Sequence, residues 1–236
     1  DAATGDVYVV GHASGPLFNR VHNGFNDIIL VKYGSNATRL WARFIGTTGN
    51  DIGYGVSVHA STGDVYVAGT ASGSLDGETY AGDRDIVLLK FARTGARLWT
   101  RMVGTTGVDI AWGVSVDSNT GNVYIAGQAA AALHGQTYVA GNDTVLIKFA
   151  SGGTRLWTRM EGTAGSDISR GVAVHSATGD VYVTGEAGAA LHGQTYVASS
   201  DVFLMKYGSD GTRAWTVMVG TVSYTHLAGD SQMTLP

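Results

Sequence analysis

Cysteine is absent from the 236 residues, proline occurs twice, and glutamate occurs three times, at Glu78, Glu161 and Glu186. Without cysteine there is no disulfide framework to read, and any redox compartment is compatible with the chain. No apolar run approaches the roughly 20 residues needed to cross a bilayer, so membrane insertion is not expected. A formal charge of -4 without a Lys/Arg cluster argues against a phosphate backbone as partner, so nucleic acid is not expected either. GxSxG, P-loop, CxxC and HExxH patterns are all missing. The sequence therefore assigns no catalytic residue, no cofactor and no metal, and it specifies no oligomeric state.

What is present is glycine, 35 residues of it, against an apolar share of 44% that can bury a substantial core. Glycine marks tight turns, and the scattered β-branched and aromatic residues between turns point to strands and little helix.

The chain repeats at a step of 58 residues: Thr4-Gly5, Thr62-Gly63, Thr120-Gly121 and Thr178-Gly179 advance in register with Trp41, Trp99, Trp157 and Trp215. In the third copy, GVSV (113–116), a DSNTG turn (117–121) and NVYIAG (122–127) read as a hairpin. DTVLIKF (143–149), a turn and RLWTRM (155–160) complete a four-stranded antiparallel meander. The third strand is nearly continuous in apolar residues, so both of its faces should be covered by neighbouring sheets. A repeated four-stranded sheet packed face to face against its own copies describes a propeller blade, and the expected fold is an all-β β-propeller. The blades are expected at about 1–46, 47–104, 105–162 and 163–221. The first copy begins at strand two, which predicts an incomplete ring missing one innermost strand. The period fails after Gly220-Thr221, and residues 222–236, which open VSYTHL like a translated library adapter, are expected to be foreign to the fold. A signal peptide, if any, would precede the first residue, which already lies inside a repeat.

The pattern GVxVxxxTGxVYVxG, DxxLxKF, TGxRLW and GTxGxDIxxGV, running through residues 1–221, resembles the SBBP-type β-propeller repeat family of bacterial exported and cell-surface proteins. The resemblance implies a propeller in an extracellular or surface setting and supplies no shared catalytic residue. TGxxxW at Thr94 to Trp99 is similar, more weakly, to quinoprotein propeller repeats. The aspartate of that motif is missing, with Lys90 and Phe91 in the matching strand, and a quinone is not expected.

Many recurring polar residues suit the scaffold. Asp27, Asp85, Asp143 and Asp201, with Asp51, Asp109 and Asp167, are expected to cap turn N–H groups rather than gather round calcium, which needs about six to eight oxygens at one point. Lys32, Lys90, Lys148 and Lys206 should pair across strands with Asp6, Asp64 and Asp180, Asn122 breaking the series. His134 and His192 recur in LHGQTY, but Asp76 replaces them in the second copy, which argues against zinc.

Positions that vary between copies are the candidates for function. His12, Thr70, Gln128 and Glu186 are expected just after strand two. Tyr54, Trp112 and Arg170 are expected just before strand one, and Glu161 stands where Ile45, Val103 and Val219 are aliphatic. Tyr54, Trp112, Arg170, Gln128, Glu161 and Glu186 are the candidate ligand-binding face, on a surface collecting the long connections. Aromatic and Arg anchors with a few carboxylates suit a glycan or a protein ligand. The leading expectation is a non-catalytic binding or scaffold module. The opposing class is a propeller enzyme, a carbohydrate-active hydrolase or lyase or a quinoprotein-like oxidoreductase.

Overall fold

The computed structural model describes residues 1–18, 23–197 and 199–220; the expected foreign segment 222–236 lies outside them. Fifteen strands and no helix make up the described residues. Strands β1 (Val7–Ala13), β2 (Asp27–Tyr33) and β3 (Arg39–Ile45) form a three-stranded sheet. Three four-stranded sheets follow: β4 (Ile52–Val58), β5 (Val65–Ala71), β6 (Asp85–Phe91) and β7 (Arg97–Val103); β8 (Ile110–Val116), β9 (Val123–Ala129), β10 (Asp143–Phe149) and β11 (Arg155–Glu161); β12 (Ile168–His175), β13 (Asp180–Ala187), β14 (Asp201–Tyr207) and β15 (Arg213–Val219). Every pairing within a sheet is antiparallel and joins neighbours in sequence. The four sheets are blade-like meanders, the first with one strand fewer.

Turn chemistry sets the strand ends. In the third copy the Gly121 and Asn122 segment closes back on Asp117 through backbone bonds of 2.8 Å, while the Asp117 carboxylate accepts from the Asn119 N–H and the Thr120 hydroxyl. This is a hairpin turn whose aspartate is spent within the turn itself, on one backbone N–H and one hydroxyl. Gly121 has φ +71, a conformation that L side chains rarely adopt, which explains the fixed TG pair.

Sheets stack because β2, β6 and β10 bury both faces, and β14 buries the face toward the third sheet. Ile28 and Leu30 of the first sheet pack with Val65, Val67, Val87 and Leu89 of the second. Tyr66, Ala68, Ile86 and Leu88, on the opposite face of the second, pack with Ile125, Val145 and Ile147 of the third. Tyr124, Ala126 and Leu146 pack in turn with Val183, Phe203 and Met205 of the fourth. At about 25 cal/mol per Å² of apolar surface removed from water, these three interfaces are the main source of stability.

Polar clips tie one sheet to the next. The indole N–H of Trp41, Trp99 and Trp157 donates to the carbonyls of Arg93, Ser151 and Ser209, at 3.2 to 3.3 Å. Guanidinium groups of Arg43, Arg101 and Arg159 donate to the carbonyls of Gly95, Gly153 and Gly211 at 2.7, 2.9 and 2.8 Å. Each tryptophan also packs on the tyrosine of its own sheet, as Tyr66 with Trp99 at 6.0 Å between ring centres.

The capping aspartates serve backbone groups. Asp27, Asp85, Asp143 and Asp201 accept the N–H of the residue four earlier at 2.7 to 2.8 Å. Asp109 accepts from Thr105 twice and from the Ala130 N–H, and its counterparts Asp51 and Asp167 repeat this. Burial holds Asp51, Asp85, Asp109, Asp143 and Asp167 above the ordinary aspartate value, against the lowering effect of those bonds. Lys32, Lys90 and Lys206 pair with Asp6, Asp64 and Asp180 at 2.8 to 2.9 Å, whereas Lys148, opposite Asn122, donates to the Ser209 carbonyl at 2.7 Å.

Candidate functional site

The first strand of each complete sheet begins earlier than the sequence pattern suggests, and this relocates the candidate residues. Tyr54, Trp112 and Arg170 do not precede that strand; they lie inside β4, β8 and β12 as the extra residue of a β-bulge, at the register shifts Gly53/Gly55, Ala111/Gly113 and Ser169/Gly171. His12, Thr70, Gln128 and Glu186 likewise lie within β1, β5, β9 and β13, each paired across to the third strand. The strands run on because the residues on either side of each bulge, and His12, Thr70, Gln128 and Glu186, find ladder partners, which a short apolar motif does not reveal.

A bulge leaves one side chain unpaired and turns it away from the ladder. Because the same bulge recurs in three stacked sheets, its three side chains fall in line. The rings of Tyr54 and Trp112 are 4.3 Å apart with their planes at 47°, and the Arg170 guanidinium lies 4.5 Å from the Trp112 ring centre. Arg170 is fixed from its other side by Glu186, through bonds of 3.1 and 2.6 Å to one carboxylate oxygen. The Trp112 indole N–H donates to Gln128 Oε1 at 3.2 Å. Tyr54, Trp112, Arg170, Gln128 and Glu186 thus form one strip across three sheets. Gln128 is buried beneath it as a support, Tyr54, Trp112 and Glu186 are half-buried, and Arg170 is exposed. Burial raises the Tyr54 hydroxyl above the ordinary tyrosine value, and Arg84 and Arg170 oppose the rise, so the phenol stays neutral over the physiological range.

Glu161 is not joined to this strip. It ends β11, at the outer edge of the third sheet, and reaches the fourth: His192 Nε2 at 2.9 Å, the Tyr207 hydroxyl at 3.3 Å and Arg213 Nε at 3.5 Å. Tyr207 is fully buried and its hydroxyl is pushed above the ordinary range, by burial first and then by the Glu161 charge. The corresponding aliphatic-Phe pairs elsewhere, Ile45 with Phe91 and Val103 with Phe149, each share an apolar cluster. Tyr207 and Arg213 are the residues that motif reasoning missed, and His192 was weighed only as a zinc ligand; the signal for Tyr207 was the joint change of aliphatic to Glu and Phe to Tyr at positions facing across two sheets. His134 and His192 each bond a threonine of their own outer strand, Thr158 and Thr216, at 2.8 Å. Among the described residues no group of three or more His, Asp or Glu is placed to hold a metal ion.

No family model matches the chain. It is 29% identical over 224 residues to the regulatory protein FlaEY of Caulobacter vibrioides, a match that takes in 85% of this chain and 22% of that protein. The chain therefore spans about a fifth of the length of that curated relative. A crystal structure of a protein of unknown function from Bacteroides caccae aligns over 90% of this chain and 93% of that one, at 9% identity and a TM-score of 0.29, too loose a likeness to carry an argument.

Proposed function

We propose that the chain is a run of β-propeller blades from an incomplete ring, acting as a non-catalytic binding or scaffold module of an exported or surface protein. The observation that carries the binding reading is the continuous stack of Tyr54, Trp112 and Arg170 across three successive sheets. Scaffold positions on either side of the bulge keep glycine or small residues, while the bulge residue itself changes from Tyr to Trp to Arg. Two aromatic faces and a forked donor suit a flat, partly polar ligand such as a sugar ring or a peptide side chain. Arg170 is already paired with Glu186, so the strip presents little net charge and favours recognition by stacking over capture of an anion. The exported or surface setting rests on the repeat-family resemblance, and a module of this kind fits within a longer chain, as the matched region does in the Caulobacter protein.

Glycan and peptide arrays probed with the 236-residue chain, and with Trp112→Ala and Arg170→Ala, test the reading. Replacing Trp112 removes the centre of the stack and should weaken any array signal by about tenfold or more, in the range of a desolvated aromatic anchor. Signals that persist unchanged in both variants would place binding elsewhere and defeat the proposal.

A further inference from the structure

One cation beside the aromatic strip lacks the partner that its counterparts have. Arg84 closes the connection leading into β6, and the same position is Asn26, Asn142 and Ser200 in the other sheets. Asn26 donates to Asn50 Oδ1 at 2.7 Å and Asn142 to Ser166 Oγ at 3.3 Å, each reaching the segment that enters the next sheet. In the second sheet the corresponding pair is Arg84 and Val108, and valine offers no acceptor. The backbone is unaltered, since the bridge of Asn26 with Asn50 recurs as Arg84 with Val108. Among the described residues the Arg84 side chain makes no ion pair, with Asp83 and Asp85 on either side of it in sequence included. Asp85 is turned instead to the Ala81 N–H.

The released guanidinium belongs to the neighbourhood of the strip. The Arg84 N–H donates to the Gly107 carbonyl at 3.4 Å and its carbonyl accepts the Asp109 N–H at 2.7 Å, which lays it against the segment that enters β8 and leads to Trp112. Its charge acts on the Tyr54 hydroxyl, as that of Arg170 does. Arg170 is neutralised by Glu186, whereas Arg84 is not. The Arg170–Glu186 pair also keeps valences to spare. Arg170 engages Glu186 through Nε and Nη2, leaving Nη1 to donate, and the second Glu186 oxygen accepts only from Ser200 Oγ, at 3.4 Å. A donor beside an acceptor suits a hydroxyl, which is both, and an unpaired guanidinium fork suits a carboxylate. The aromatic ring of a peptide side chain would have no use for either, while a sugar ring adds an apolar C–H face for Tyr54 and Trp112.

We propose that the strip selects an acidic sugar, a uronate unit of a glycan: its ring face lies on Tyr54 and Trp112, its hydroxyls meet the Arg170–Glu186 pair, and its carboxylate takes the fork of Arg84. Stacking holds the ring, a contact that neutral sugars share, and Arg84 adds the preference for the charged one. Because Glu186 already neutralises Arg170, that preference falls on Arg84 alone. The inference rests on the proposed binding at the strip, and adds to it the class of sugar and the residue that reads it.

Oligomers of galacturonate, glucuronate and mannuronate, printed beside their methyl esters, are the probes, because esterification removes the charge and keeps the ring. The 236-residue chain should bind at least one uronate more tightly than its ester, by about fivefold or more, as expected for a charge-assisted bond at a half-buried arginine. The preference should shrink as salt is raised from about 0.05 to about 0.5 M. Arg84→Asn gives the second sheet the residue that the first and third already carry, so the fold accepts it. This variant should bring uronate binding down to the level of the ester, whereas Trp112→Ala should weaken uronate and ester alike. Uronate and ester bound equally by wild type, no uronate bound at all, or a preference that survives Arg84→Asn overturns the acidic-sugar assignment and leaves binding at the strip standing. Uronate binding indifferent to Trp112→Ala places the sugar elsewhere and overturns both.

Discussion

One glycine per repeat holds the bulge in place, and the fold supplies its own control. Gly127 in β9 pairs with Ala111 of β8 on one side and Val145 of β10 on the other. A Cβ added there would stand 1.9 Å from the Ile110 carbonyl oxygen and 2.9 Å from the Ala111 Cα; at the equivalent Gly69 and Gly185 the carbonyl contacts are 2.0 and 1.9 Å. Both near atoms are backbone, so relief requires β8 to move bodily away, by about 1 Å in a sheet whose strands are spaced about 4.8 Å apart. Overpacking of this kind costs about 1 to 3 kcal/mol, and one or two stretched ladder bonds add about 1 kcal/mol each. Gly127→Ala should therefore destabilise by about 2 to 5 kcal/mol, which in a chain of this size lowers Tm by roughly 4 to 20 °C.

Gly11 is the same repeat position in the first sheet, which lacks the innermost strand that β8 supplies in the third, and a Cβ there meets nothing within 4 Å. Gly11→Ala is expected to be neutral or to stabilise by up to about 1 kcal/mol, by restricting the unfolded chain. Paired urea melts followed by tryptophan fluorescence read both numbers, and Trp112, next to the displaced Ala111, should report the Gly127 change in its native baseline. A difference between the two variants below about 0.5 kcal/mol, the scatter of ordinary surface substitutions, would refute the steric account of the bulge.

The Glu161 cluster predicts a double-mutant cycle: Glu161→Val alone should cost about 1 to 2 kcal/mol by leaving the buried Tyr207 hydroxyl without its carboxylate, and adding Tyr207→Phe should recover most of it. Additive effects in chemical denaturation would contradict the coupling. Asn122→Asp should give Lys148, whose pKa burial lowers, the cross-strand partner present in the other sheets. A gain of about 0.2 to 1 kcal/mol in urea melts is expected, and a loss would show that the Ser209 carbonyl is the better partner. Asp109, raised above 3.8 by burial, is easier to protonate folded than unfolded. The stability of wild type relative to Asp109→Asn should therefore rise as pH falls from about 7 to about 4, and calorimetry showing the relative stability flat or falling would reverse the sign of the shift.

The architecture was legible because four copies repeat the same turns: TG fixes the first hairpin, the apolar third strand announces that sheets stack on both sides, and Asn122 marks the one broken Lys–Asp pair. The candidate strip was legible in part. Tyr54, Trp112 and Arg170 stand out as variable residues between constant glycines, yet a bulge has no signature in apolar alternation, so their place inside a strand emerges only from the ladder. Glu161 shows the limit of reading each copy alone. Its partners lie 31, 46 and 52 residues further on in another sheet, and only the simultaneous exchange of Val103 and Phe149 for Glu161 and Tyr207 betrays them.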